Sequence, residues 1–141
     1  MAKRKSMKVA MMVHNGSSEN LRSAFNTAIM AATAGAKVSM LFRSWALEKL
    51  ARENIDELEL PPQYSHRKKF IEEGWKSIGY PALSKLIKEA KENLDIKIYA
   101  CTASNALFKL KKDDLPFVDG FVGVYSFLEK DAFTADMVLT Y

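Results

Sequence analysis

Hydrophobic and polar positions along this chain alternate between two periods. Lys8–Val13 is a short, nearly continuous apolar run, the pattern of a strand covered on both faces of a parallel sheet. Beyond the turn Asn15-Gly16-Ser17-Ser18, the residues Leu21, Phe25, Ala28, Ile29 and Ala32 recur at helical spacing. Ser17 stands as the N-cap of that helix, which runs to about Ala34, and Gly35 as its stop. Lys37–Phe42 reads as a second strand and Ser44–Leu50 as a short helix. The stretch from Asn54 to Tyr80, with Pro61-Pro62 and two glycines, is the least regular part of the chain. Its length suggests a lid or an oligomer contact rather than a plain connection.

Pro81 sits at an expected first helical position, and Leu83, Leu86, Ile87, Ala90 and Leu94 mark the buried face of the helix behind it. Lys97–Ala100 is the third strand, closed by Cys101. A short helix over Ala103–Leu110, a strand Phe121–Val124, a helix Ser126–Ala135 and a last strand Met137–Thr140 follow. Five strands alternating with helices predict an α/β fold built from βαβ units around a mostly parallel sheet. There is no internal repeat.

At 141 residues the chain has the size of one domain, large enough to bury roughly two thirds of its unfolded surface without a disulfide or metal. The long uncharged stretch Ser23–Ala36 falls short of the roughly 18 to 20 residues that cross a bilayer, so no membrane association is expected. The run that follows Lys3, Arg4, Lys5 and Lys8 is too short for a signal-peptide core, so a cytoplasmic location is expected. A net charge of +4 raises the question of nucleic acid. The basic residues, however, are scattered among acids rather than gathered with aromatics into a stripe, which argues against it.

The single cysteine excludes an intramolecular disulfide, a Cys-x-x-Cys redox pair and a Cys-rich metal site, and no metal or cofactor motif stands out. Parallel sheets collect ligands at the carboxyl ends of their strands. Three segments reach that edge: His14–Ser18, Arg43–Trp45 and Cys101–Asn105. Cys101, followed by Thr102, Ala103 and Ser104 at the start of a helix, is the candidate nucleophile, because helix-terminal amides favour thiolate; a small buried cysteine explains the same position. His14 could serve Cys101 as a base or hydrogen-bond partner if the first and third strands are neighbours. Asn15, Gly16 and Ser17 could bind a small anion or simply cap a helix, and Trp45 could line a pocket or pack in the core.

Lys97-Ile98-Tyr99-Ala100-Cys101-Thr102-Ala103-Ser104, followed by Leu110-Lys111-Lys112-Asp113-Asp114-Leu115, resembles the strand, cysteine, short helix and turn of the DsrE/DsrF-like family, in its peroxiredoxin-like branch. Phe42–Leu47 and Gly123–Leu128 are similar to other family segments. The resemblance implies a flavodoxin-like three-layer sandwich with five strands and a homo-oligomer, often a trimer or a multiple of one. It also implies a cysteine that carries sulfur as a persulfide or thiosulfonate between donor and acceptor proteins, such as TusA-like carriers. Only Cys101 matches that role. The chain departs from the family in reading Asn15-Gly16-Ser17-Ser18-Glu19-Asn20 after the first strand, and in the stretch Pro61–Tyr80.

The expected function is thus sulfur transfer on Cys101. The alternative is a non-enzymatic module binding a small anion or nucleotide at the strand-end crevice. A thiol peroxidase is disfavoured because the chain has no resolving cysteine.

Overall fold

The computed structural model describes residues 5–51, 53 and 55–141. Lys3, Arg4 and the start of the irregular stretch at Asn54 lie outside them. Five strands, β1 (Lys8–Val13), β2 (Lys37–Phe42), β3 (Ile96–Cys101), β4 (Gly120–Val122) and β5 (Met137–Thr140), form one sheet in the order β4-β3-β2-β1-β5. Every pairing is parallel. The helices are α1 (Ser18–Thr33), α2 (Ser44–Ala51), α3 (Lys68–Ser77), α4 (Leu83–Asn93), α5 (Thr102–Phe108) and α6 (Val124–Phe127), the last running into a π-helical turn over Leu128–Ala132.

Alternation along the strands sorts side chains onto two faces. Val9, Met11, Val13, Val38, Met40, Phe42, Ile96, Ile98 and Ala100 point to the first face, where they pack with Leu21 and Phe25 of α1, Leu47 of α2 and Ile87 of α4. Phe25 stacks on Phe42 with ring centroids 5.5 Å apart. Ala10, Leu41 and Cys101 point to the second face, where Phe127 and Ala132 of the α6 segment cover them. The result is a three-layer α/β sandwich with a large core on one side and a small one on the other.

Most elements lie where the hydrophobic pattern puts them. Four details differ. Pro81 lies outside α4, whose N-cap is Ala82. Ser17 occupies the N-cap of α1 but makes no side-chain capping bond. The last helix, expected as one regular element, is a single α-turn followed by a π-turn, which lets Phe127 and Ala132 both reach the sheet. The stretch read as irregular contains a 3-10 helix over Pro62–Arg67 and the regular helix α3.

That stretch is tied down by polar bonds. Ser18 of α1 donates through its N–H to the Glu59 carbonyl (2.8 Å) and accepts from the Glu59 N–H through Oγ (2.7 Å). Lys49 of α2, 1 % exposed, donates to the Glu57 carbonyl at 2.9 Å and pairs with the Glu59 carboxylate at 3.2 Å. Further along, the Arg22 guanidinium donates to the Pro81 carbonyl (2.8 Å) and lies over the rings of Trp75 and Tyr80, at 4.0 and 5.0 Å. Burial lowers the Arg22 pKa, with Tyr80 and Asp56 acting in the opposite sense.

Arg22→Ala removes one carbonyl bond and two cation–π contacts, each worth about 0.5–2 kcal/mol. Faster amide exchange should appear across Tyr64–Tyr80, with exchange in β1–β3 unchanged; equal acceleration in both regions would refute the clamp. Gly16 is held where an added Cβ would sit 2.5 Å from the Trp45 carbonyl oxygen. Gly16→Ala should therefore cost about 1–3 kcal/mol through forced backbone displacement, read as a fall in denaturation midpoint.

Candidate functional site

The five strands end on one edge of the sheet, and the candidate residues divide there into two groups. The first surrounds Cys101. Connections following β1, β2 and β3 lead to elements packed on the first face, whereas β4 exits through Gly123 into α6 on the second. The junction between the ends of β3 and β4 is therefore the topological switch point, the place where open α/β sheets take their ligands. Cys101 and Thr102 form one side of it and Gly123 the other; an added Cβ on Gly123 would lie 3.7 Å from Thr102 Oγ1.

Cys101 is the last residue of β3, only 2 % exposed, and belongs to the second-face cluster with Ala10, Leu41, Phe127 and Ala132. Thr102 is exposed at the start of α5. Ser104 is buried, and its Oγ accepts the Ser44 N–H at 2.8 Å. Ser44 has φ +51°, unfavourable for a residue with a Cβ, so Ser104 serves to hold a strained link between β2 and α2. Tyr99, two residues before Cys101 on the same face, has its phenol pKa raised by burial, with Asp131 and Asp119 adding to the effect.

His14 does not join this group. Strand β2 lies between β1 and β3, so the adjacency that would bring His14 to Cys101 is not met. Val13 is level with Phe42, and Phe42 with Ala100, which sets His14 and Cys101 two strand spacings apart, about 10 Å. Arg43 occupies the intervening strand end.

The second group forms a cleft of about 800 Å³ at the ends of β1 and β2. His14, Asn15, Gly16, Ser17 and Trp45 line it, as do Glu48, Lys49, Glu59, Leu60, Pro61 and Pro62. Two backbone bonds shape its floor: Ala46 N–H donates to the His14 carbonyl, and Arg43 N–H to the Val13 carbonyl. Trp45 is 67 % exposed and tilts against Phe108, with ring centroids 5.2 Å apart. It is a surface aromatic of the cleft, not a core residue.

Glu48, Lys49 and Glu59 were not singled out from sequence. Glu48 and Lys49 follow Trp45 at helical spacings of three and four, a signal that places all three on one side of α2. Glu59 reaches the cleft only through the fold of the stretch after α2. Among the described residues no group of three or more His, Cys, Asp or Glu side chains is gathered to hold a metal ion. No helix among them is long and apolar enough to cross a membrane.

Two solved structures share this architecture. The ychN protein from E. coli matches with a TM-score of 0.61 at 17 % identity, covering 96 % of this chain and 100 % of its own. The protein of unknown function MTH1491 from Methanobacterium thermoautotrophicum matches with a TM-score of 0.61 at 12 % identity, covering 95 % and 99 %. At those identities the likeness establishes the fold. No curated protein matches the chain significantly in sequence. The sequence pattern of one family, however, matches residues 7–132, spanning β1 through the π-turn and including both groups of candidate residues. The chain belongs to the DsrE/DsrF-like family, whose members are generally related to sulfur transfer.

Proposed function

We propose that this protein is a cytoplasmic sulfur carrier that holds sulfur on Cys101 and passes it to the thiol of a partner protein, a TusA-like carrier being one candidate. The observation that carries the reading is the position of the chain's single thiol at the switch point between β3 and β4, in a family related to sulfur transfer. In the loading step the Cys101 thiolate attacks the outer sulfur of a persulfide donor. The donor's S–S bond breaks, the donor leaves as a thiolate, and Cys101 becomes the persulfide. A partner thiolate then attacks that outer sulfur and Cys101 departs as thiolate. Tetrathionate would instead leave a Cys–S–S–SO3⁻ group on Cys101 and release thiosulfate.

Burial of Cys101 sets a condition on this chemistry: a donor reaches the sulfur only when the second-face side chains packed around it, Phe127 and Ala132 among them, move aside. These two lie on one α-turn and one π-turn, and π-turns recur at functional sites. The same reading takes the protein as a homo-oligomer, a trimer or a multiple of it. The exposed apolar residues Phe133, Met137 and Val138, at and before edge strand β5, support self-association.

A second reading, a non-enzymatic binding module with Cys101 inert, is favoured by the cleft at His14–Ser17 and Trp45, which does not include the cysteine.

Intact mass of reduced protein before and after a persulfide donor or tetrathionate, with Cys101→Ala and Cys101→Ser in parallel, tests the first reading. Wild type should gain one sulfur or one S2O3 group and the variants neither; an adduct on the variants, or none on folded wild type, refutes it. Phe127→Ala should raise the rate of Cys101 alkylation by about tenfold or more in the folded protein, since removing the ring opens a cavity over the sulfur. An unchanged rate would show that Phe127 does not control access.

A further inference from the structure

Strand β5 ends the sheet with backbone groups that nothing in the chain uses. Tyr141, just past its end, donates its N–H to the Met12 carbonyl and accepts the His14 N–H, each at 2.9 Å, so both of its backbone groups face β1. The parallel register is continuous from Val9 level with Met137 to Met12 level with Thr140. Backbone direction alternates along a strand, so Leu139 also faces β1, while Val138 and Thr140 turn their N–H and C=O groups outward. Among the described residues no strand pairs with that outer side. No charge, proline or bulge interrupts Met137–Thr140, the devices that ordinarily keep such an edge from pairing. The charge just before it, Asp136, is turned inward, its carboxylate accepting the Lys8 N–H at 2.8 Å.

Apolar surface flanks this edge on both faces. On the second, Val138 is exposed, as is Phe133 after the π-turn. On the first, Met137 is exposed beside Ala31 and Ala34 of α1. Met30, also exposed, stands on the same flank of α1, one turn on from Thr27, whose hydroxyl meets that of Tyr141 at 2.6 Å.

We propose that β5 pairs antiparallel with β5 of a second copy of this chain about a two-fold axis at Leu139, an inference that rests on the homo-oligomer reading above and names its interface. In that register Val138 of each copy lies opposite Thr140 of the other. The two exchange both of their N–H···O=C bonds, as directly opposed residues of an antiparallel ladder do, and Leu139 meets Leu139 across the axis. The outward groups of each strand are thus satisfied by the same groups of the other, the condition for an isologous contact. A lone extended segment would reach the edge but not Met30, whereas a second copy brings its own α1 alongside. Pairs formed this way give an assembly with an even number of copies.

Native mass of the full chain, with Val138→Pro and Val138→Lys in parallel, tests the proposal. Wild type should contain an even number of copies. Val138→Pro removes an outward N–H that β1 does not use, a position where an edge strand tolerates proline; it should halve the assembly with an unchanged circular dichroism spectrum. Val138→Lys, which puts a charge on the edge, should do the same. Phe70→Ser, which removes exposed apolar surface from α3 instead, should leave the mass unaltered. In wild type the Val138 and Thr140 amides should exchange about tenfold or more slowly than open amides do. Fast exchange of both in the assembled wild type would overturn the pairing whatever the variants do. An odd-numbered assembly, or one whose mass neither variant changes, would overturn this interface and leave the homo-oligomer reading standing. A monomer would overturn both, while sulfur loading of Cys101 decides the carrier reading separately.

Discussion

The handedness of parallel crossovers governs this structure more than any single contact. A strand, crossover and parallel strand are right-handed in nearly all proteins because right-twisted strands pack back onto their sheet only that way. From β1 the chain steps across the sheet to β2, β3 and β4 in one direction, and then returns past all of them to place β5 beside β1. Reversing direction while keeping the hand forces the last crossover onto the opposite face. Among the described residues the α6 segment therefore covers the second face, and it is this reversal that creates the switch point at Cys101 and brings Phe127 into the same buried cluster.

Unequal cover on the two faces has consequences for both candidate activities. The first face is packed by α1, α2 and α4, which bury long apolar side chains and hold the strand ends rigidly. The second has only a short helical turn and a π-turn, so the side of the sheet that holds Cys101 is covered by one small element.

The cleft has a different origin. Its strand-end floor comes from the turn after β1 and the start of α2, pressed together at Gly16 and Trp45. Its far wall is borrowed from the stretch between α2 and α4, sewn to α1 by Ser18 and to α2 by Lys49. Departures from the family pattern noted at Asn15–Asn20 and Pro61–Tyr80 thus fall on the two sides of one site. Two candidate regions thus share one edge of the sheet, one at the thiol and one at the cleft.

The sequence by itself determined the class of fold, the boundaries of β1, β2 and β5, the buried stripe of α4 and the placing of Cys101 at a strand end. Each is a local matter of apolar periodicity, turn residues and strand length. It also carried the resemblance to the family now identified. Strand order was beyond its reach, because pairing joins residues distant in the chain and leaves no periodic trace; hence the expected approach of His14 to Cys101 failed when β2 came between them. Helix α3 was missed because none of its side chains is buried and it meets α1 through a surface contact, Trp75 against the Arg22 guanidinium. The exposure of Trp45, the burial of Lys49 and the cover over Cys101 were likewise decided only by tertiary structure, since burial depends on what the rest of the chain brings alongside a residue.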